Sequence, residues 1–138
     1  MAFTLDTKHI THAGVLAMLN AAVAAAEALG QPQCIVIVDA SGEVLGEIRM
    51  TGAKFLSRKS ARAKARTAAS IGAPTTAIPE AARPHIAAAT GGEVTGLGGG
   101  LPIRVDGVLL GGIGVGSGSP DQDIEVATAA LMAVGASA

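Results

Sequence analysis

Apolar side chains recur at Val15, Leu16, Leu19, Val23 and Ala26, which is the spacing of one helical face over residues 11–29. Gly30 and Pro32 follow in the order that stops a helix. The unbroken apolar run Cys34-Ile35-Val36-Ile37-Val38 predicts a buried strand. Asp39-Ala40-Ser41-Gly42 then predicts a turn, with Asp39 bonding its own backbone ahead and Gly42 free to take positive φ. Residues 43–50 read as the return strand, with Val44, Ile48 and Met50 on one face and Glu43, Glu47 and Arg49 on the other. Leu45 and Gly46 interrupt that alternation. A helix is expected from about Lys54 to Ser70. Pro74, Pro79 and Pro84 limit residues 72–100 to short helical pieces, one after Thr76 and one after Pro84. Asp106-Gly107 suits a two-residue turn between strands at 101–105 and 108–115. Ser119-Pro120-Asp121-Gln122 combines a cap, a first-turn proline and a capping-box glutamine, and opens a last helix that runs to about Val134. The order is α-β-β-α-(short α)-β-β-α, an α+β fold around an antiparallel sheet, in one domain over residues 1–138 with no repeat or linker.

Composition changes this picture in one respect. The 138 residues include 29 Ala and 19 Gly but only two Phe, and no Trp or Tyr. The core must therefore fill by close backbone approach. An aromatic stacking surface for single-stranded nucleic acid is excluded, and a net charge of −1 argues against a basic nucleic-acid binder. Only 15% of residues are charged, so part of the surface is expected to be buried between copies of the chain. Cys34 has no disulfide partner and reads as a small core residue, which suits a reducing cytoplasm. Residues 9–26 carry no Asp, Glu, Lys or Arg, but His9, His12, Asn20 and the many alanines make the stretch too weakly apolar for a membrane span. Met1 speaks against a cleaved signal peptide, and a cytoplasmic protein is expected.

Three features bear on chemistry. Twelve of the 19 glycines lie between Gly91 and Gly118. A tight turn at Asp106-Gly107 pairs residues whose numbers sum to 213, so Gly99 is expected opposite Gly114 and Leu101 opposite Gly112. Gly112, Gly114 and Gly116 then share one strand face beside Gly98, Gly99 and Gly100. Such a bare floor admits a flat ligand, a helix or another subunit. It forms no nucleotide fingerprint, and Asp121 and Asp123 already occupy the following helix start, which disfavours phosphate there. The second feature is basic: Lys54, Arg58, Lys59, Arg62, Lys64 and Arg66 fall within thirteen residues with no acid among them. Lys54, Arg58, Arg62 and Arg66 stack at i, i+4, so water, Glu43, Glu47, another subunit or an anionic ligand must offset their repulsion. Lys64 lies off that stripe. The third is histidine. His9, His12 and His85 lack metal-site spacing, and one of them is available as an axial haem ligand. No nucleophile elbow is present.

Val38-Asp39-Ala40-Ser41-Gly42, Arg49-Met50-Thr51-Gly52-Ala53 and Lys64-Ala65-Arg66-Thr67-Ala68 resemble one family in its N-terminal half. Gly99-Gly100-Leu101-Pro102-Ile103, Asp106-Gly107, Gly112-Ile113-Gly114-Val115 and Gln122-Asp123 resemble its C-terminal half. The set is similar to the GlcG/HbpS-like haem-binding family, also called haem-degrading or DUF336, which includes the C-terminal domain of PduO-type proteins. The resemblance spans roughly residues 9–134 and implies a profilin-like domain that assembles into homo-oligomers, from dimers to octamers, with haem as the cofactor of some members. Thr51 stands where the family pattern reads Asp. The PduO-like members carry a histidine on the N-terminal helix, which makes His12 the implied ligand of haem iron.

Two readings follow. In the first, the chain is an oligomeric haem- or small-ligand-binding protein. The ligand rests on Gly98, Gly99, Gly100, Pro102 and Gly114 or between subunits, its carboxylates near Arg49 and Lys64. In the second it is a cofactor-independent lyase or isomerase of a small carboxylated metabolite. Arg49 and Lys64 hold the carboxylate, and Asp123, Glu47 or His85 moves a proton.

Overall fold

The computed structural model describes residues 1–138. Helix α1 (His12–Leu29) is followed by β1 (Cys34–Asp39), β2 (Val44–Arg49) and helix α2 (Ser57–Ile71). Two 3-10 turns, Thr75–Ala77 and Glu80–Ala82, lead into the short helix α3 (Arg83–Ala89). Strands β3 (Gly100–Val105) and β4 (Val108–Gly116) and helix α4 (Pro120–Ala133) complete the α+β fold. The antiparallel sheet has the order β2-β1-β4-β3, so the apolar β1 lies inside and Pro102 lies on an edge strand, where its missing N–H is tolerated.

Local chemistry explains the boundaries. Thr11 caps α1 through Gly14 N, and Gly30 closes it in the left-handed conformation. Asp39 Oδ1 accepts from Ser41 N and Glu43 N at 2.8 and 3.1 Å, as its position in the turn requires. Ser119 and Gln122 form the expected capping box. Asp106 and Gly107 both take positive φ, 51° and 74°, which is the signature of a type I′ turn. Residues 54–56 form a turn rather than the first turn of α2.

Two β-bulges correct the expected registers. Between Ile37 and Val38 the pairing passes from Gly46 to Val44, leaving Leu45 as the extra residue. Val44 therefore faces the same side as Glu47 and Arg49, and only Ile48 and Gly46 face the other. In the second hairpin Val105 pairs Val108, but a bulge between Ile103 and Arg104 places Gly100, not Gly99, opposite Gly114, and Pro102 opposite Gly112.

The sheet is covered on both faces. Ile35, Ile37, Ile103, Ile113 and Val115 pack with Val15, Met18, Ala22 and Ala26 of α1 and Val126, Ala127 and Ala130 of α4. Cys34, Val36 and Val38 pack with Ala61, Ala65 and Ala69 of α2. Helix α1 is long and apolar enough by composition to cross a membrane, but its buried face belongs to this core.

Candidate functional site

Helix α2 lies so close to the sheet that its backbone occupies the glycine floor. A Cβ on Gly114 would lie 1.9 Å from the carbonyl oxygen of Ala61, and one on Gly112 2.2 Å from that of Ala65. Gly100 meets the carbonyl oxygen of Lys64 at 2.5 Å in the same sense. The expectation of an open floor for a flat ligand on Gly98, Gly99, Gly100, Pro102 and Gly114 is thus corrected: all five are buried, α2 backbone takes the space at Gly100 and Gly114, the Val115 carbonyl and Asp123 close on Gly99, and only Gly98 borders a cleft.

That close approach buries Lys64. Its side chain is only 5% exposed, and its Nζ donates to the carbonyl of Val115 at 2.8 Å and to Asp123 Oδ2 at 3.0 Å. Asp123, in the first turn of α4, is 3% exposed, and its Oδ1 accepts from Gly118 N at 3.1 Å. These added hydrogen bonds offset part of the cost of desolvating the two charges. The pair sits at the base of a cleft of about 280 Å³, walled by Lys54, Ser57, Ser60, Leu97, Gly98, Ser117, Gly118 and Pro120. Ser117 is held at φ 97°, a left-handed conformation that a non-glycine residue rarely adopts, while its Oγ accepts from Lys54 N at 3.1 Å. Beneath it, Gln33 is fully buried, and its Oε1 accepts from Gly118 N at 2.9 Å.

The other predicted residues lie elsewhere. Glu47 accepts from Arg58 and Arg62, both at 3.3 Å, and so offsets the basic stripe within the chain. Partial burial would raise its carboxyl pKa, but the hydrogen bonds and charges of Arg62 and Arg58 hold it below the ordinary value. Arg66 pairs with Glu93 at 3.2 Å. Arg49 donates to the carbonyl of Ala53 at 3.0 Å and lines a separate cleft of about 510 Å³ with Val23, Glu27, Pro32, Ile48 and Met50. Arg49 and Lys64 therefore do not share a ligand site. Of the proposed proton carriers only Asp123 stands by Lys64; Glu47 is tied to arginines and His85 is exposed on α3. Burial pushes the Cys34 thiol up, against the charge of Arg49, which leaves it a core residue.

The histidines separate as well. His12 is the first residue of α1 and is exposed. His9 lies on an apolar cleft of about 240 Å³ lined by Lys8, Ile10, Met18, Ile103, Val105, Leu110 and Val134, among others. The sequence offered no sign that the segment before α1 would lie against β3 and β4, nor that Ser57 and Ser117 would line one cleft with Lys64.

The model of a family described as "Haem degrading protein HbpS-like" matches residues 10–132. The chain belongs to the HbpS-like family. The corrinoid adenosyltransferase PduO of Citrobacter freundii is 36% identical to this HbpS-like chain over 122 residues, which is 85% of the chain and 36% of that protein. The chain thus spans about a third of the length of its curated relatives. The solved PduOC:haem complex is 30% identical and superposes with a TM-score of 0.88, covering 94% of this chain and 98% of that one. The Klebsiella pneumoniae protein ORFY, a DUF336 protein, is 26% identical, with a TM-score of 0.93 over 100% of this chain and 99% of that one.

Proposed function

We propose that this HbpS-like chain is a haem-binding module that holds one edge of the porphyrin in the apolar cleft bearing His9. The observation that carries the reading is the cleft itself. Of the three histidines, His9 lines an apolar cleft, with Met18, Ile103, Leu110 and Val134 for the macrocycle and Lys8 for a propionate. The haem complex of the PduOC relative supports the choice of ligand. Bound haem would supply a redox-active iron centre, with His9 the residue placed to hold it.

At about 240 Å³ the cleft is smaller than the roughly 300–1,000 Å³ of sites that enclose a ligand. The rest of the porphyrin then lies against a second copy of the chain. Leu16 on α1 and Met132 on α4 are 57% and 75% exposed and are available to that homo-oligomer.

The test is a haem titration followed by absorbance, run beside light scattering. The expected result is a saturable Soret shift at about one haem per subunit or subunit pair. His9→Ala should abolish it and His85→Ala should leave it unchanged. A shift lost in His12→Ala and kept in His9→Ala refutes the cleft assignment, and no saturable shift at all refutes the haem reading.

A further inference from the structure

The geometry points to a second ligand site, in the cleft above the Lys64–Asp123 pair, for a small monocarboxylic acid with an apolar tail. The cleft shares no residue with the one bearing His9, so this inference stands or falls independently of haem.

Three observations carry it. The first concerns the buried ammonium. Lys64 has three N–H donors. Two are used, on Val115 and Asp123, and no protein acceptor takes the third. A nearly fully buried ammonium with an unused donor on a cleft wall calls for an acceptor from outside the chain. The second is charge. The walls carry two cations, Lys54 and Lys64, against one carboxylate, Asp123. Asp123 neutralises Lys64, and Lys54 makes no ion pair, so one positive charge is uncompensated. A monoanion balances it, whereas a phosphate dianion would set excess negative charge beside the Asp123 carboxylate. Ser57 adds a hydroxyl whose oxygen and proton take part in no hydrogen bond within the chain, suited to a carboxylate oxygen. The third is the apolar wall. Leu97 is 58% exposed and lines the cleft with Pro120. It provides a surface for a hydrocarbon or aryl group extending from the carboxylate. The volume of about 280 Å³ suits a small acid of this kind.

Benzoate is the probe, titrated into the whole chain and followed by backbone amide NMR, with benzyl alcohol as its uncharged counterpart and inorganic phosphate as the competing anion. Saturable shifts are expected at Ser57, Leu97, Ser117 and Gly118 with benzoate alone. Lys54→Gln should weaken binding about tenfold, the loss expected for a hydrogen bond to a charged group. Ser57→Ala should weaken it several-fold. Lys59→Gln, which removes the same charge five residues on, in the first turn of α2 and outside this cleft, should change it less than twofold. The spectra themselves report whether each variant is folded. The inference is overturned if benzoate causes no saturable shift at these amides, or if Lys54→Gln binds as the unsubstituted chain does. It is also overturned if Lys59→Gln weakens binding as much as Lys54→Gln, or if phosphate binds the same amides more tightly.

Discussion

Replacing Gly114 by alanine tests the feature on which the whole arrangement rests. The new Cβ would stand 1.9 Å from the Ala61 carbonyl oxygen and 2.6 Å from Ala65 N, both backbone atoms of α2. No side-chain rotation relieves such an overlap, so the helix must lift from the sheet. Lifting it opens the packing of Ala61, Ala65 and Ala69 on Cys34, Val36 and Val38 and draws Lys64 away from Asp123. Overpacking ordinarily costs about 1–3 kcal/mol, and a clash confined to backbone belongs at or above the upper end. Alanine also gains about 0.4–1 kcal/mol by restricting the unfolded chain. The net expectation is a loss of about 2–3 kcal/mol or more. Gly112→Ala, at 2.2 Å from the Ala65 oxygen, should behave alike, whereas Gly116→Ala, at 3.1 Å from the nearest atoms, should stay within about 1 kcal/mol. Urea denaturation of the three variants measures the series. A Gly114→Ala protein within about 1 kcal/mol of the unsubstituted chain would refute the argument, because it would mean that the glycine face is open and free to receive a ligand.

The buried pair makes a second prediction. Lys64→Met or Asp123→Asn alone leaves an uncompensated buried charge and should cost about 3–5 kcal/mol in urea denaturation. The double variant should recover much of that loss, and additive losses would contradict the pairing. Glu47 makes a third. Its carboxyl pKa is lower folded than unfolded, so its contribution is present above the unfolded value of about 4.3 and fades as pH falls through the folded one. Glu47→Gln should therefore lower the melting temperature modestly at pH 6, since Arg58 and Arg62 are half exposed. The gap should close towards pH 3, and a gap constant from pH 6 to pH 3 would exclude Glu47 as the titrating group.

What the sequence made legible follows from the range of the forces involved. Asp39, Gly42, Ser119, Gln122 and the Asp106-Gly107 turn act within four or five residues of themselves, and each does what its local chemistry requires. The two bulges could not be read this way. An extra residue at Leu45 or beside Ile103 is set by how the strand must bend over its neighbours, and it reverses faces that strict alternation assigns. The glycine cluster was correctly placed on one face of β4, but bare backbone permits a ligand and a helix equally. Composition already held the deciding fact, since α2 presents Ala61, Ala65 and Ala69 and so carries little side chain to keep it from the sheet. The approach of α2 has a direct consequence for the site. A helix that touches the strand backbone cannot point a long side chain between the layers, so Lys64 must reach along the layer to the end of β4. There it meets the first turn of α4, where an acid complements the helix dipole and is available to the lysine as well. The Lys64–Asp123 pair is thus a product of the small residues that let α2 approach β4. No spacing rule joins residues 64 and 123, and only the packing of Ala61, Ala65 and Ala69 against Gly112 and Gly114 brings them together.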